Sequence, residues 1–311
     1  MIDNEFLLHD RLQKIRQIIR KYGEENFYVS FSGGKDSTVL SALIDMALPD
    51  NKIPRVYANT GIEYRLILDF VERERENPHK WELIILKPTI PIKPMLEKEG
   101  YPFKSKEHAA VVASWQGGNK DGLWVKHYLE KEGRFGLPAK LRYQFTDDNK
   151  LKISEKCCYR LKEEPLHNYQ KENNRPYGIL GLMREEGGRR NKAECLAFQG
   201  DKLKNFQPLA PMTKEWEEWF IKTYDIDISD IYKPPYNFER TGCKGCPFNP
   251  TLQKDLDTLD KFFPAERKQC EYIWKPVYEE YRRIGYRLRP LENGRQLTLE
   301  DFMDVKEKNG S

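Results

Sequence analysis

The sequence predicts an α/β protein, a parallel sheet flanked by helices and followed by a smaller, mostly helical C-terminal part. Three observations carry this. Short apolar runs alternate with stretches of helical period up to Pro88. A glycine-rich loop sits at the junction of the first strand and the helix after it. The chain has 311 residues, 39% of them hydrophobic and 33% charged, enough to bury a large core without disulfide staples.

Leu7, Leu8, Leu12, Ile15, Ile18 and Ile19 repeat at helical spacing, and Gly23 ends the run. Phe27-Tyr28-Val29-Ser30-Phe31 reads as a short buried strand, Asp36 to Ala47 as a helix closed by Pro49, and Arg55 to Ala58 as a second strand. A helix from Leu66 to Arg75 and a third strand from Trp81 to Leu86 complete the alternation, which argues for a parallel sheet covered on both faces. From Pro91 to Glu155 the pattern blurs. Only Ser105 to Trp115 reads as a helix, ended by Gly117-Gly118, with a polar loop running on through Asp147-Asp148-Asn149. Sheet character returns at Tyr177 to Gly181 and at Cys195 to Phe198. Helices follow at Lys214 to Tyr224 and at Lys268 to Ile284. The resulting division is an α/β domain over 1–232 with an insert at about 91–155, and a cysteine-containing helical region over 233–311.

Composition narrows the class. Fifty-three basic against 49 acidic side chains leave a formal charge of +4, too little for a long-range field of either sign. Six cysteines are too sparse for a disulfide scaffold. No window approaches the roughly 18 apolar residues of a membrane helix, and Met1-Ile2-Asp3-Asn4-Glu5 does not open a signal peptide. The expectation is a cytoplasmic protein in a reducing compartment. Mixed-sign runs at Arg73–Lys80 and Asp304–Lys308 read as solvated faces. The group Arg282, Arg283, Arg287 and Arg289 reads as helix surface, whereas Arg184, Arg189 and Arg190 flank a Gly-Gly pair and invite a ligand.

The loop Ser32-Gly33-Gly34-Lys35-Asp36-Ser37 carries the most chemistry. Paired glycines let the backbone turn tightly and aim successive N–H groups at one point. The following helix offers its positive end to that point. Ser32 and Ser37 add hydroxyls and Lys35 a charge, giving a cradle for phosphate, pyrophosphate or sulfate. It lacks the four-residue spacing of the P-loop of kinases and GTPases.

This string resembles the pyrophosphate-binding loop of the adenine nucleotide α-hydrolase-like superfamily, and four further segments resemble its PAPS/APS (sulfonucleotide) reductase branch. These are Asn59-Thr60-Gly61, with Asn in the branch's acidic position; Cys157-Cys158-Tyr159-Arg160-Leu161-Lys162 with Pro165-Leu166; Gly181 to Arg190; and Pro208-Leu209 with Trp216 to Tyr232, leading into Gly242-Cys243-Lys244-Gly245-Cys246. The resemblance implies a Rossmann-like fold and ATP, APS or PAPS as ligand, with magnesium as a companion ion. It implies phosphate-binding residues at Ser32 to Ser37, Thr60, Gly61, Arg184 and Arg189, with Lys35, Asp36 and Arg190 in catalysis.

Cys157-Cys158 and Cys243-x-x-Cys246 can supply four thiolates to a zinc ion or an iron–sulfur cluster. Adjacent cysteines suit the separate corners of a cluster better than one tetrahedral ion, and the resemblance also implies a [4Fe–4S] cluster. Zinc ranks second, and two buried small hydrophobes at Cys157 and Cys158 third. Cys195 and Cys270 read as buried small side chains.

Two departures separate the chain from the reductases. No cysteine follows Cys270, so the C-terminal Glu-Cys-Gly-x-His tail is missing, and Met183 and Gly187 replace an arginine and a serine of the arginine element. Three functions are therefore weighed. The first is a nucleotide-dependent enzyme of sulfur metabolism, using a thiol or electron-donor protein or adenylylating a substrate before sulfur transfer. The second is a tRNA- or DNA-modifying component contacting nucleic acid through Tyr272 to Arg289, which the small charge does not favour. The third is a nucleotide-binding module without catalysis.

Overall fold

A computed structural model describes residues 4–78, 81–131 and 136–290, with the side chains of Glu186, Gly188 and Arg189 excepted. The chain divides into two compact units, Met1–Thr89 with Leu161–Thr241, and Ile90–Arg160 with Gly242–Ser311. The insert therefore groups with the C-terminal segment and not, as the sequence pattern predicts, with the first domain.

The first unit is built on a six-stranded sheet: β1 Phe27–Phe31, β2 Arg55–Ala58, β3 Leu83–Leu86, β4 Tyr177–Ile179, β5 Leu196–Gln199 and β6 Lys202–Phe206. The strand order is β3-β2-β1-β4-β6-β5. Every pairing is parallel except the β5–β6 hairpin. Its helices are α1 Asn4–Tyr22, α2 Lys35–Ala47, α3 Arg65–Glu76, α7 Glu164–Glu172 and α8 Lys214–Thr223; α4 to α6 belong to the second unit. Strand alternation sorts the side chains. Phe27 and Val29 join Ile179 and Phe206 in a core closed by α1, α2 and α8, through Leu12, Ile15, Val39, Leu43, Trp216 and Phe220. Tyr28 and Val56 turn the other way, onto Tyr169 of α7.

The chain runs outward from β1 to β2 and β3, then returns to place β4 on the other side of β1. That reversal opens a crevice at the carboxyl ends of β1 and β4, where open α/β sheets bind ligands. The Ser32–Ser37 loop leaves β1 at that point, and Leu180-Gly181 leaves β4 there.

The second unit is helical: α4 Ile92–Glu99, α5 Lys106–Gln116, α6 Leu123–Glu130, α9 Leu252–Phe262 and α10 Pro264–Arg283. Ser105 caps α5 by accepting the His108 N–H at 3.1 Å. The polar loop expected after Gly118 in fact holds α6 and a 3-10 stretch, Ala139–Phe145. Also outside the sequence reading are α4, α7, α9 and β6. Among the described residues no helix is long and apolar enough to cross a membrane.

Candidate functional site

In the first unit the loop is held by its own hydroxyls. The Ser32 N–H donates to Ser37 Oγ at 3.1 Å, and the Ser37 hydroxyl donates to the Gly34 carbonyl at 2.9 Å. The two serine hydroxyls lie 3.0 Å apart, and the Gly34 N–H reaches Ser32 Oγ at 3.3 Å. Gly33 takes φ +69°, where a Cβ would stand 2.9 Å from Val71 Cγ2, so that position requires glycine. Gly34 is extended and opens α2 at Lys35, which places the first amides and the positive end of a 13-residue helix at the crevice.

The crevice is a cavity of ≈ 430 Å³. Ser32, Gly34, Lys35, Asp36 and Ser37 line one wall, and Leu180 to Met183 and Arg190 line another. Three contributions were not among the expected site residues. The first is Gly181: a Cβ there would lie 2.9 Å from the Asp36 carbonyl oxygen, so a bare backbone is what lets β4 run against the loop. The second is Tyr232, whose hydroxyl meets Thr241 Oγ1 and the Lys35 backbone N–H, while the Lys35 ammonium sits 5.4 Å from its ring centroid. Burial pushes this phenol up to about 12, so it stays neutral. The third is a set of charged lining residues, Lys214, Glu217, Glu218, Glu239 and Arg240, of which Glu217 is buried. Tyr232 lies in one of the segments that carried the resemblance, but no sequence signal marked Arg240 or Thr241.

The remaining expected residues lie elsewhere in this unit. Thr60 is buried and donates to Glu63 Oε1 at 2.8 Å, and Glu63 in turn lies 3.9 Å from the Lys162 ammonium. Gly61 takes φ +82° and donates its N–H to Asn59 Oδ1. This turn follows β2 at the same edge of the sheet but does not line the cavity. Arg184 donates to the Ala193 carbonyl and is also absent from the lining. The Arg189 side chain lies outside the described residues.

All four cysteines of the two pairs belong to the second unit. Cys157 and Cys158 open a helical turn that continues as a π turn over Tyr159–Glu163. The Cys243–Cys246 turn is closed by the Cys246 N–H on the Cys243 carbonyl at 3.1 Å. The Cys157 thiol is pushed well up by its hydrogen bond with Cys158, then by burial and by the nearness of Cys246 and Cys243. The other three sulfurs thus act on that of Cys157, and none of the four is in a disulfide. Among the described residues no three Cys, His, Asp or Glu side chains are arranged to hold a single metal ion. Cys270 is fully buried and its thiol is pushed up to about 12, so it is a packing residue, as its helix position suggested. Cys195 is half-buried beside Arg11, against the first unit's core.

The arginines weighed as a nucleic-acid surface are engaged within the second unit. Arg282 pairs with Glu271, Arg283 with Glu280 and Arg289 with Asp257, and Arg287 donates to the Pro247 carbonyl.

Three solved structures are similar to the chain at low identity. Phosphoadenylyl-sulfate (PAPS) reductase from Candida auris, in a phosphate complex, is 12% identical, with 78% of this chain and 96% of that one covered and a TM-score of 0.44. The NH3-dependent NAD synthetase from Campylobacter jejuni is 14% identical, with 94% and 100% covered and a TM-score of 0.42. The U34-tRNA thiolase NcsA from Methanococcus maripaludis, with its [4Fe-4S] cluster, is 13% identical, with 99% and 89% covered and a TM-score of 0.39. No curated protein matches the chain. The phosphoadenosine phosphosulfate reductase domain model matches residues 26–117 and 127–249, more than half of the chain, and includes the Ser32–Ser37 loop and both cysteine pairs. The chain belongs to the phosphoadenosine phosphosulfate reductase domain family.

Proposed function

We propose that this chain is an adenine-nucleotide-dependent enzyme of sulfur metabolism that takes the phosphates of ATP, or the phosphosulfate of APS or PAPS, into the Ser32–Ser37 cradle. The observation that carries this reading is the cradle itself: a hydroxyl-braced glycine loop at a helix N-terminus, opening into a ≈ 430 Å³ cavity at the sheet's switch point. The Lys35 ammonium neutralises charge developing on a departing or attacked anion, and Arg190 adds a second cationic side chain to the cavity lining. Asp36, next to Lys35 in the chain, holds or receives a proton in the same cavity.

Thiol placement favours ATP cleavage at the α–β bond, with adenylylation of a second substrate. Cys270 is buried with its thiol pushed up to about 12, which keeps it from serving as a thiolate. Attack on a sulfonucleotide requires a thiolate. Reduction of APS or PAPS is the second reading, favoured by the family match. It requires an external dithiol that leaves as disulfide while sulfite and the nucleotide monophosphate or bisphosphate depart.

Cys157, Cys158, Cys243 and Cys246 suit an iron–sulfur cluster: four thiols of one unit lie near enough for Cys158, Cys246 and Cys243 to raise the Cys157 thiol, and adjacent cysteines suit a cluster's separate corners better than one tetrahedral zinc ion. When bound, such a cluster supplies thiolate-held iron for electron or sulfur handling. Incubation of anaerobically purified protein with labelled ATP, APS and PAPS separates the readings. Pyrophosphate release requires adenylylation, and sulfite release with added dithiol requires reduction. Failure to bind any of the three, or undiminished binding by a Lys35→Ala variant, sinks the nucleotide reading.

A further inference from the structure

The four-thiol reading just given leaves open what shapes the Cys243–Cys246 half of the site. We infer that helix α10 is a positioning device for that half, with Tyr278 and Trp274 as its working side chains. Cys270, Trp274, Tyr278 and Tyr281 are spaced by four, four and three residues, so they share one face of α10. All four are buried to within 1% exposure. Each polar tip on this face meets a carbonyl of the cysteine turn or of the residue just after it. The Trp274 indole N–H donates to the Lys244 carbonyl at 2.9 Å, the Tyr278 hydroxyl to the Gly245 carbonyl, and the Tyr281 hydroxyl to the Pro247 carbonyl at 2.9 Å.

The turn sits directly on this face. Gly245 has φ +63°, and a Cβ there would stand 2.5 Å from Tyr278 Oη and 2.7 Å from Cys270 Sγ. This gives Cys270 its place in the molecule, as the small side chain on which the turn rests. On the same turn, the nearly buried Lys244 ammonium is tied to Glu266 at the start of α10.

Two carbonyls between the cysteines are therefore fixed by buried donors, and a buried donor left unpaired costs about 1–3 kcal/mol. Those carbonyls belong to the 244–245 and 245–246 peptide planes, and together with the Cys246 N–H on the Cys243 carbonyl they restrict the backbone from which both thiols project. Supporting groups of this kind alter metal retention by about 10–100-fold when removed. Tyr281 serves as an internal comparison, because its carbonyl lies just outside the cysteine pair.

The test is anaerobic reconstitution of the full chain with ferrous iron and sulfide. Iron and acid-labile sulfide per chain, the visible spectrum, the reduction potential and the rate of iron loss to a ferrous chelator are then measured. Tyr278→Phe and Trp274→Phe are expected to release iron about tenfold faster or more and to shift the potential, with Tyr281→Phe closer to wild type. Nucleotide binding at the other unit reports that each variant is folded, and Trp274→Phe carries the test if Tyr278→Phe does not fold. A wild-type chain that takes up no iron overturns the four-thiol reading and this inference with it. A wild-type chain that loads, with both variants matching it in release rate and potential, overturns the positioning role alone.

Discussion

Replacing Gly181 with alanine tests the cradle through a residue that carries no functional group. The added Cβ would lie 2.9 Å from the Asp36 carbonyl oxygen, 3.1 Å from its carbon and 3.3 Å from the Ser37 nitrogen. All three neighbours are backbone of the first turn of α2, so no side chain can rotate away. Restoring ordinary contact needs about 0.5 Å of separation. The displacement falls on the amides that would face the ligand. Overpacking of this kind costs about 1–3 kcal/mol of stability. A 1 Å misplacement can cost about 100-fold in function, so half that distance scales to about tenfold. Gly181→Ala is therefore expected to bind ATP or APS about tenfold more weakly by titration calorimetry, with a lowered melting temperature. Gly242→Ala is the control, since a Cβ there meets nothing within 4 Å. If Gly181→Ala matches wild type in both affinity and melting temperature, the close packing of β4's exit against the loop is wrong.

Three further perturbations have defined signs. Ser37→Ala removes the acceptor of the Ser32 N–H and the donor to the Gly34 carbonyl. It should lower the urea midpoint by the equivalent of about 1–3 kcal/mol and weaken nucleotide binding; no change in either measurement contradicts the bracing role. Asp45→Ala strips the carboxylate from Arg55, which is wholly buried with all its nitrogens engaged by Ser41, Asn51, Ile53 and Asp45. The cost should approach the lower end of about 3–5 kcal/mol, because Asp45 is 39% exposed and the other bonds remain; Arg55→Met, which leaves no buried charge, should be milder in the same denaturation assay. His108 is buried between Tyr128 and Gln144, and burial lowers its pKa from 6.5 to about 4. The unfolded chain then binds the proton more readily than the folded one. His108's contribution is full above pH 6.5 and is lost as pH falls toward 4, about 3 kcal/mol in all. His108→Phe should flatten the acid limb of melting temperature against pH, and an unchanged slope would count against this assignment.

The legible parts of the fold are those with undiluted local patterns. Phe27–Phe31, Arg55–Ala58 and the buried positions of α1 follow strand and helix periods closely, and the structure keeps them within a residue or two. By contrast, β6 reads Lys-Leu-Lys-Asn-Phe, with charges on its exposed face. Its clearest sign was the Gly200-Asp201 pair, with Gly200 at φ +61°, joining it to β5 as a hairpin. Helices α4 and α6 are eight residues each, too short for a period to stand out. The grouping of the insert with the C-terminal segment depends on contacts between residues more than a hundred positions apart, such as the Lys104 N–H on Tyr281 Oη at 2.8 Å. No local pattern records those contacts.

The same split runs through the candidate site residues, and it has a common physical form in both units. Each unit presents a glycine turn whose donors are contiguous in sequence, Ser32 to Ser37 in one and Cys243 to Cys246 in the other, which is why both could be read directly. Each turn is also capped by a tyrosine hydroxyl from later in the chain. A Cβ on Gly34 would come within 3.2 Å of Tyr232 Oη, and one on Gly245 within 2.5 Å of Tyr278 Oη. The glycine and the tyrosine explain each other: the missing side chain is the space the phenol occupies, and the buried phenol needs the backbone group it meets there. Burial pushes both phenols up, Tyr232 to about 12 and Tyr278 well above its ordinary value, so each remains a neutral hydroxyl across the working pH range. A glycine in a ligand turn therefore does two things at once. It permits the φ or extended bend of the turn, and it admits the distant side chain that holds the bend in place. The first can be inferred from one sequence; the second needs the partner's position, which only the folded chain supplies.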